Sequence, residues 1–317
     1  MAHHHLPAGP ETCQWGFFDP AASPVLTIKS GDQVTVDTVS GNPAHMPPPG
    51  KFSIPPALTE IHAKVRQGPG PHILTGPIYI EGAKPGHVLE VRIDDVKLAT
   101  DYGYNMIRPL AGTLPYDFDE PRQVFIPLDR ERMVGTLPWG LELKLAPFFG
   151  IMGVAPPPSW GKITSIIPRA HGGNLDNKEL RAGTTLYLPV FVEGALFTCG
   201  DGHGVQGDGE VNVNAIETAL HGTFTFIVRD DLAFRYPRAE TPTHYMTMAM
   251  DPDLDRCAET ALRDMIVLIC EKTNLSREDA YMLCSLAADL RVTQTVNGSK
   301  GIHIMIERDV VHPGAAA

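Results

Sequence analysis

The chain has 317 residues, 43% hydrophobic and 20% charged, enough apolar material for a sizeable core. With 26 Lys and Arg against 37 Asp and Glu, the formal net charge is -11. That balance lacks the basic footprint of a nucleic-acid binder and the attraction to an anionic membrane surface. No apolar run reaches the roughly 20 residues of a membrane-spanning helix, and the first residues lack the apolar centre of a secretory signal. Five cysteines, widely spread and without a Cys-x-x-Cys pair, point to a reducing, cytoplasmic setting.

Strand signals dominate the first two thirds. Val25–Lys29 and Gln33–Val39 alternate around Ser30-Gly31-Asp32 and predict a hairpin. Residues 42–56 are rich in Pro and read as a loop. Pro77–Glu81 and His87–Val96 flank a Gly/Pro turn. Shorter strands fit Gln123–Pro127, Leu141–Leu145, Ile163–Ile167, Thr185–Val192, Gly209–Val213 and Thr223–Arg229. Two helices come late. Asp255–Thr273 places Ala258, Ala261, Leu262, Met265, Ile266 and Ile269 on one face. Ser276 opens a capping-box-like start, after which Ala280, Leu283, Leu286, Ala287 and Leu290 follow a helical period. Val292–Val296 and Gly301–Glu307 close the chain as strands. The expectation is a mainly β fold. A β-sandwich or jelly-roll-like body covers 1–230, and an α+β C-terminal part at 231–317 packs on it.

Chemistry concentrates in two segments. In Gly200–Glu210 five of eleven residues are glycine, which lets the backbone approach a ligand closely. If this stretch is extended, Asp201 and His203 share a face, as do Gln206, Asp208 and Glu210. That grouping suits a divalent metal with a spare carboxylate to move protons. A solvated turn, or a calcium loop of alternating Gly and carboxylate, would show similar composition; His203 favours zinc over calcium. The second segment, Arg169–Lys178, groups His171, Asn174, Asp176 and Asn177. His171 fits a ligand or proton shuttle, and the two carboxamides fit an amide substrate; an Asx-rich turn is the plainer alternative. Cys199 adjoins the first segment as a candidate nucleophile or a small buried strand residue. Ser159-Trp160-Gly161-Lys162 matches S-x-x-K but lies between prolines and a strand rather than at a helix start. His45 and His72 sit in Pro/Gly loops and are open candidates to reach the site, though no spacing ties them to either segment, and Glu81 is a site carboxylate or a turn flank.

The chain resembles the acetamidase/formamidase family. The resemblance rests on Thr75-Gly76-Pro77-Ile78-Tyr79-Ile80-Glu81-Gly82-Ala83, on Gly150-Ile151-Met152-Gly153-Val154-Ala155-Pro156, on His171-Gly172-Gly173-Asn174-Leu175-Asp176-Asn177, and on Gly200-Asp201-Gly202-His203 through Glu210. It implies hydrolysis of short aliphatic amides to a carboxylate and ammonia, a β-sandwich body, a divalent metal near these loops and a homo-oligomer. It leaves cyclic amides of the γ-lactam type open as substrates. The expected arrangement has metal on some of His171, Asp176, Asp201, His203 and Asp208. Asn174 or Asn177 stabilises the oxyanion, and Glu210 or Asp208 moves the proton. Two other readings are a calcium-stabilised β-sandwich binding module without catalysis and a hydrolase with a Cys199 or Ser159 nucleophile.

Overall fold

The computed structural model describes residues 1–312. Among them, two large sheets face each other across one core. The first has nine strands in the order His3–Leu6, Gln33–Asp37, Leu220–Arg229, Val88–Leu98, Thr185–Pro189, Arg238–Glu240, His244–Asp251, Lys300–Glu307 and Ala288–Gln294. The second is centred on Phe197–His203, which pairs antiparallel with Phe148–Gly153, Ile73–Glu81 and Glu217–Thr218. Period-two alternation turns Val34, Val36, Val91, Ile93, Phe224 and Phe226 of the first sheet inward to meet Ile78, Ile80, Phe149, Met152 and Phe197 of the second. Phe149 and Phe197 pack on Phe224 across the gap at 5.4 and 5.9 Å between ring centroids. Each such side chain contributes about 2–3 kcal/mol on burial.

The mainly β architecture is the one expected, but several elements differ. The strands around Ser30-Gly31-Asp32 do not form a hairpin. Leu26–Lys29 pairs in parallel with Ile73–Glu81 in the second sheet, while Gln33–Asp37 pairs with Leu220–Arg229 in the first. The turn carries the chain between sheets, and Asp32 accepts hydrogen bonds from the Ala2 and Lys29 amides across it. Residues 42–55 have no strand, as expected, with one short 3-10 turn at Pro43–His45, and Pro56–Lys64 then forms a helix, with Pro at its first position where no amide donor is needed. Strands Tyr102–Ile107 and Phe148–Gly153 were not anticipated.

The late helices occupy Leu254–Lys272 and Arg277–Ala287. Asp253 caps the first by accepting from the Asp255 and Arg256 amides, and Ser276 caps the second by accepting from the Asp279 amide. Leu290 is not in that helix. The chain turns extended at Ala288 because Ala288–Gln294 pairs with Lys300–Glu307, and the ladder overrides the helical period. Both helices cover the outer face of the first sheet, over Tyr245, Ala249, Ile302, Ile304 and Ile306. Met246, Met248 and Met305 of the same strands face the main core. The first sheet runs continuously across residue 230, since Thr185–Pro189 pairs with Arg238–Glu240. Among the described residues, no helix is long and apolar enough to cross a membrane.

Candidate active site

The site is built on the Phe197–His203 strand. Its glycines are a packing requirement: a Cβ at Gly200 would lie 2.5 Å from the Ile73 carbonyl oxygen, and one at Gly202 would lie 2.6 Å from that of Thr218. Between and beyond them, Asp201 and His203 come together as the two-residue spacing predicts. Gly150 lies opposite Asp201, between the register pairs Phe149–Gly202 and Ile151–Gly200. Without a side chain there, a small buried space remains. Asp176 enters it from the turn after Gly172–Asn174, with its amide donating to the Gly150 carbonyl at 3.1 Å. Glu210 and Glu217 enter from the following loop and short strand.

His203 Nε2 sits at the centre, 3.4 Å from Asp201 Oδ2, 3.5 Å from Glu217 Oε2 and 3.8 Å from Asp176 Oδ1. Within each of two trios, Asp176/His203/Glu210 and Asp201/His203/Glu217, the nearest donor atoms lie within 4.8 Å of one another, and all five residues are buried. Asp176 Oδ1, His203 Nε2 and Glu210 Oε2 have no hydrogen-bond partner. Asp176, Asp201 and Glu210 have left-handed backbones, with φ of 46, 57 and 43°. Side chains rarely take that conformation, and its strain gathers at functional sites.

The electrostatics follow from crowding. Burial, reinforced by the Asp201 charge, pushes the Asp176 carboxyl up to about 7. Burial and Asp176 raise Glu210 well above the usual carboxylate range. Burial works against ionised Asp201, yet His72 and His203 beside it hold its pKa low. Burial opposes a charge on His203, but Glu217 and Asp201 outweigh it and raise the imidazole. Four buried carboxylates around one imidazole need positive charge among them, either a proton on Nε2 or a cation. The donor set, a nitrogen with several carboxylate oxygens and three unpartnered atoms, fits a divalent cation.

The sequence-predicted residues divide. Asp176, Asp201, His203 and Glu210 converge. Asn174 lines the adjoining cavity of about 550 Å³ and donates from Nδ2 to the Ile166 carbonyl. The other expected residues lie elsewhere. Asp208 pairs with Lys178 at 3.0 Å, because Gly207–Glu210 is a turn rather than the extended run that would align it with Glu210. Asn177 contacts Met246 Sδ and accepts from the Glu179 amide. His171 is buried between Phe18 and Trp160 with neither ring nitrogen partnered; burial, and secondarily Arg169, push its pKa down to about 3. Cys199 belongs to the main core, where burial pushes its thiol far up, leaving almost no thiolate to act as a nucleophile. Ser159 is exposed, while Lys162 pairs with Asp19 at 3.2 Å and lies over the Phe17 ring. Glu81 is an exposed turn flank.

Two contributors, Glu217 and Asn297, escaped the sequence reading, and His72 was named there without a spacing that tied it to the site. Glu217 sits in Ala215-Ile216-Glu217-Thr218-Ala219-Leu220, where a lone acid in a buried run is the available signal. Asn297 donates to Asp176 Oδ2 at 2.5 Å. It belongs to an Asn-Gly turn, whose ordinary role in hairpins hides a site function. His72 lines the cavity, with Nε2 3.9 Å from Asp201 Oδ2 and Nδ1 2.8 Å from Ser165 Oγ.

The Acetamidase/Formamidase family pattern matches residues 14–163 and 161–307. The chain belongs to the acetamidase/formamidase family. Its fold is similar to the crystal structure of an acetamidase from Bacillus halodurans, at TM-score 0.85 and 32% identity, covering 98% of this chain and 100% of that one. It is also similar to a predicted acetamidase/formamidase from Thermoanaerobacter tengcongensis, at TM-score 0.86 and 28% identity, covering 99% and 98%. Among curated relatives, a formamidase from Methylophilus methylotrophus is 28% identical over 200 residues, 47% of this chain and 49% of that protein. The chain thus spans about half the length of the curated relatives it matches.

Proposed function

We propose that the chain hydrolyses short aliphatic amides to a carboxylate and ammonia, using water activated at the Asp176/Asp201/His203/Glu210/Glu217 cluster. The observation that carries this reading is the convergence of Asp176 Oδ1, His203 Nε2 and Glu210 Oε2, all buried and unpartnered, beside a cavity that admits a small amide. Family membership supports the reaction class.

Asp201, His203 and Glu217, one of the two trios, would hold a divalent cation with Asp176 Oδ1 beside His203 Nε2, zinc rather than calcium because an imidazole nitrogen is among the donors. When bound, such an ion lowers the pKa of its water from 15.7 to about 7 and polarises a carbonyl oxygen. The water oxygen then bonds to the amide carbon. Glu210, whose burial raises its affinity for a proton, takes the proton water gives up and returns it to the amide nitrogen. The C–N bond breaks and ammonia leaves. Of the two expected carboxamides, Asn174 is the one that lines the cavity, and its second N–H would stabilise the oxyanion there.

The test is ammonia release from formamide, acetamide and propionamide, with product detection for a γ-lactam, before and after chelation and alongside elemental analysis. Glu210→Gln should lower turnover about 10²–10⁴-fold, the range for losing a general acid–base, with bound cation unchanged. Loss of the cation would move Glu210 into the ligand set, and wild-type turnover would refute the assignment.

A further inference from the structure

His203 has two ring nitrogens, and only Nε2 faces the carboxylates. Which tautomer it adopts is decided on the other side of the ring. Nδ1 lies 3.0 Å from Gln206 Oε1, and both residues are buried. The orientation of that carboxamide is itself fixed, because Gln206 Nε2 donates to the Asp176 carbonyl oxygen at 2.7 Å. Turning the amide over would set its oxygen against that carbonyl and its NH2 against the ring. Gln206 therefore presents an acceptor to Nδ1, so Nδ1 carries the hydrogen, and a neutral His203 has its lone pair on Nε2.

We propose that Gln206 is a positioning residue that locks His203 in the Nδ1–H tautomer and so makes Nε2 a cation ligand, while tying the backbone of Asp176 to the same side chain. One carboxamide thus sets the donor atom of one ligand and the backbone position of another. Asn297 completes the frame by fixing Asp176 Oδ2, which leaves Oδ1 unpartnered towards His203. Gln294 shapes the turn that presents Asn297 by accepting from the Val296 and Asn297 amides. A ligating histidine that loses the acceptor on its second nitrogen commonly loses 10–100-fold in metal affinity. This inference rests on the cluster taking a divalent cation.

The experiment compares the wild-type chain with Gln206→Met and Gln206→Glu. Zinc affinity is read by competition with a chelating dye, and the His203 tautomer by ring ¹⁵N shifts of the zinc-loaded protein. Methionine keeps the length of glutamine but removes the strong acceptor; affinity should fall by about 10–100-fold. Glutamate keeps an acceptor for Nδ1–H but sets an oxygen against the Asp176 carbonyl, so Nδ1 should remain protonated while affinity falls less than in Gln206→Met. A role in space filling alone predicts the reverse order, with methionine tolerated and the buried extra carboxylate not. Wild-type affinity in Gln206→Met, or equal losses in both variants, overturns the proposal. If the methionine variant fails to fold, the glutamate variant decides: zinc on Nδ1, or an Nδ1 without its proton, overturns it. Wild-type protein that takes up no zinc refutes the cation reading and this proposal together, whereas uptake with an indifferent Gln206 refutes this proposal alone.

Discussion

Gly150→Ala puts one methyl group into the floor of the cluster. Gly150 lies outside the left-handed region, so alanine meets no backbone strain and the effect is entirely one of contact. The new Cβ would stand 2.5 Å from Asp176 Oδ1, 2.8 Å from Asp201 Oδ2 and 2.8 Å from His203 Cε1. An ordinary contact begins near 3.4 Å, so Asp176 Oδ1 must retreat by about 0.9 Å and the other two by about 0.6 Å. Two of the three are not free to do so cheaply, since Asn297 holds Asp176 and Gln206 holds His203. Overpacking of this kind costs about 1–3 kcal/mol. The stiffer unfolded chain offsets about 0.4–1 kcal/mol of that. The protein should remain folded, yet a displacement approaching 1 Å at the reacting groups costs up to about 10²-fold in rate. Ammonia release and zinc titration of the purified variant, beside a melting curve, read all three quantities. Gly140→Ala, where a Cβ meets nothing within 4 Å, controls for an exposed glycine, although its φ of 89° adds backbone strain. A folded Gly150→Ala protein with wild-type turnover and zinc affinity would show that these three side chains do not form the working site.

Two further substitutions test the charges. With its pKa raised to about 7 when folded, against about 4 unfolded, Asp176 binds more protons in the native state over that window. Its stabilising contribution is therefore full below about 4 and lost as pH rises through about 7. Metal-free Asp176→Asn should match metal-free wild type near pH 4 and be the more stable of the two at pH 8 in denaturant melts; equal stability at pH 8 would contradict the crowded-carboxylate account. His171 runs the other way. With its pKa down at about 3, it is neutral in the fold and costs stability as pH falls from about 6.5. His171→Leu should bind as much zinc as wild type and resist acid better between about pH 6 and pH 4, and loss of zinc would restore His171 to the ligand set.

What the sequence disclosed divides along the line between local and long-range causes. Asp201 and His203 were paired because a two-residue spacing on an extended chain is a local fact, and the glycines that permit it stand beside them. Extending the same rule to Asp208 failed, because Gly209 and Glu210 take positive φ and break the alternation. The turn docks instead on the C-terminal strand, through bonds from the Gly209 amide to the Thr293 carbonyl and from the Thr295 amide to the Gly209 carbonyl. His171 and Asn177 share a segment with Asp176, but the chain folds so tightly there that neighbours in sequence face different interiors. Glu217 and Asn297 show the converse. A lone acid in an otherwise uncharged run is the one mark at Glu217 and none stands at Asn297, since each acquires its partner only through pairing with a distant strand or turn. The cluster therefore depends on the closing C-terminal hairpin as much as on the glycine-rich strand. Damage to the Val296–Ser299 turn should disable the site through Asn297 and Asp176 while the main core stays intact.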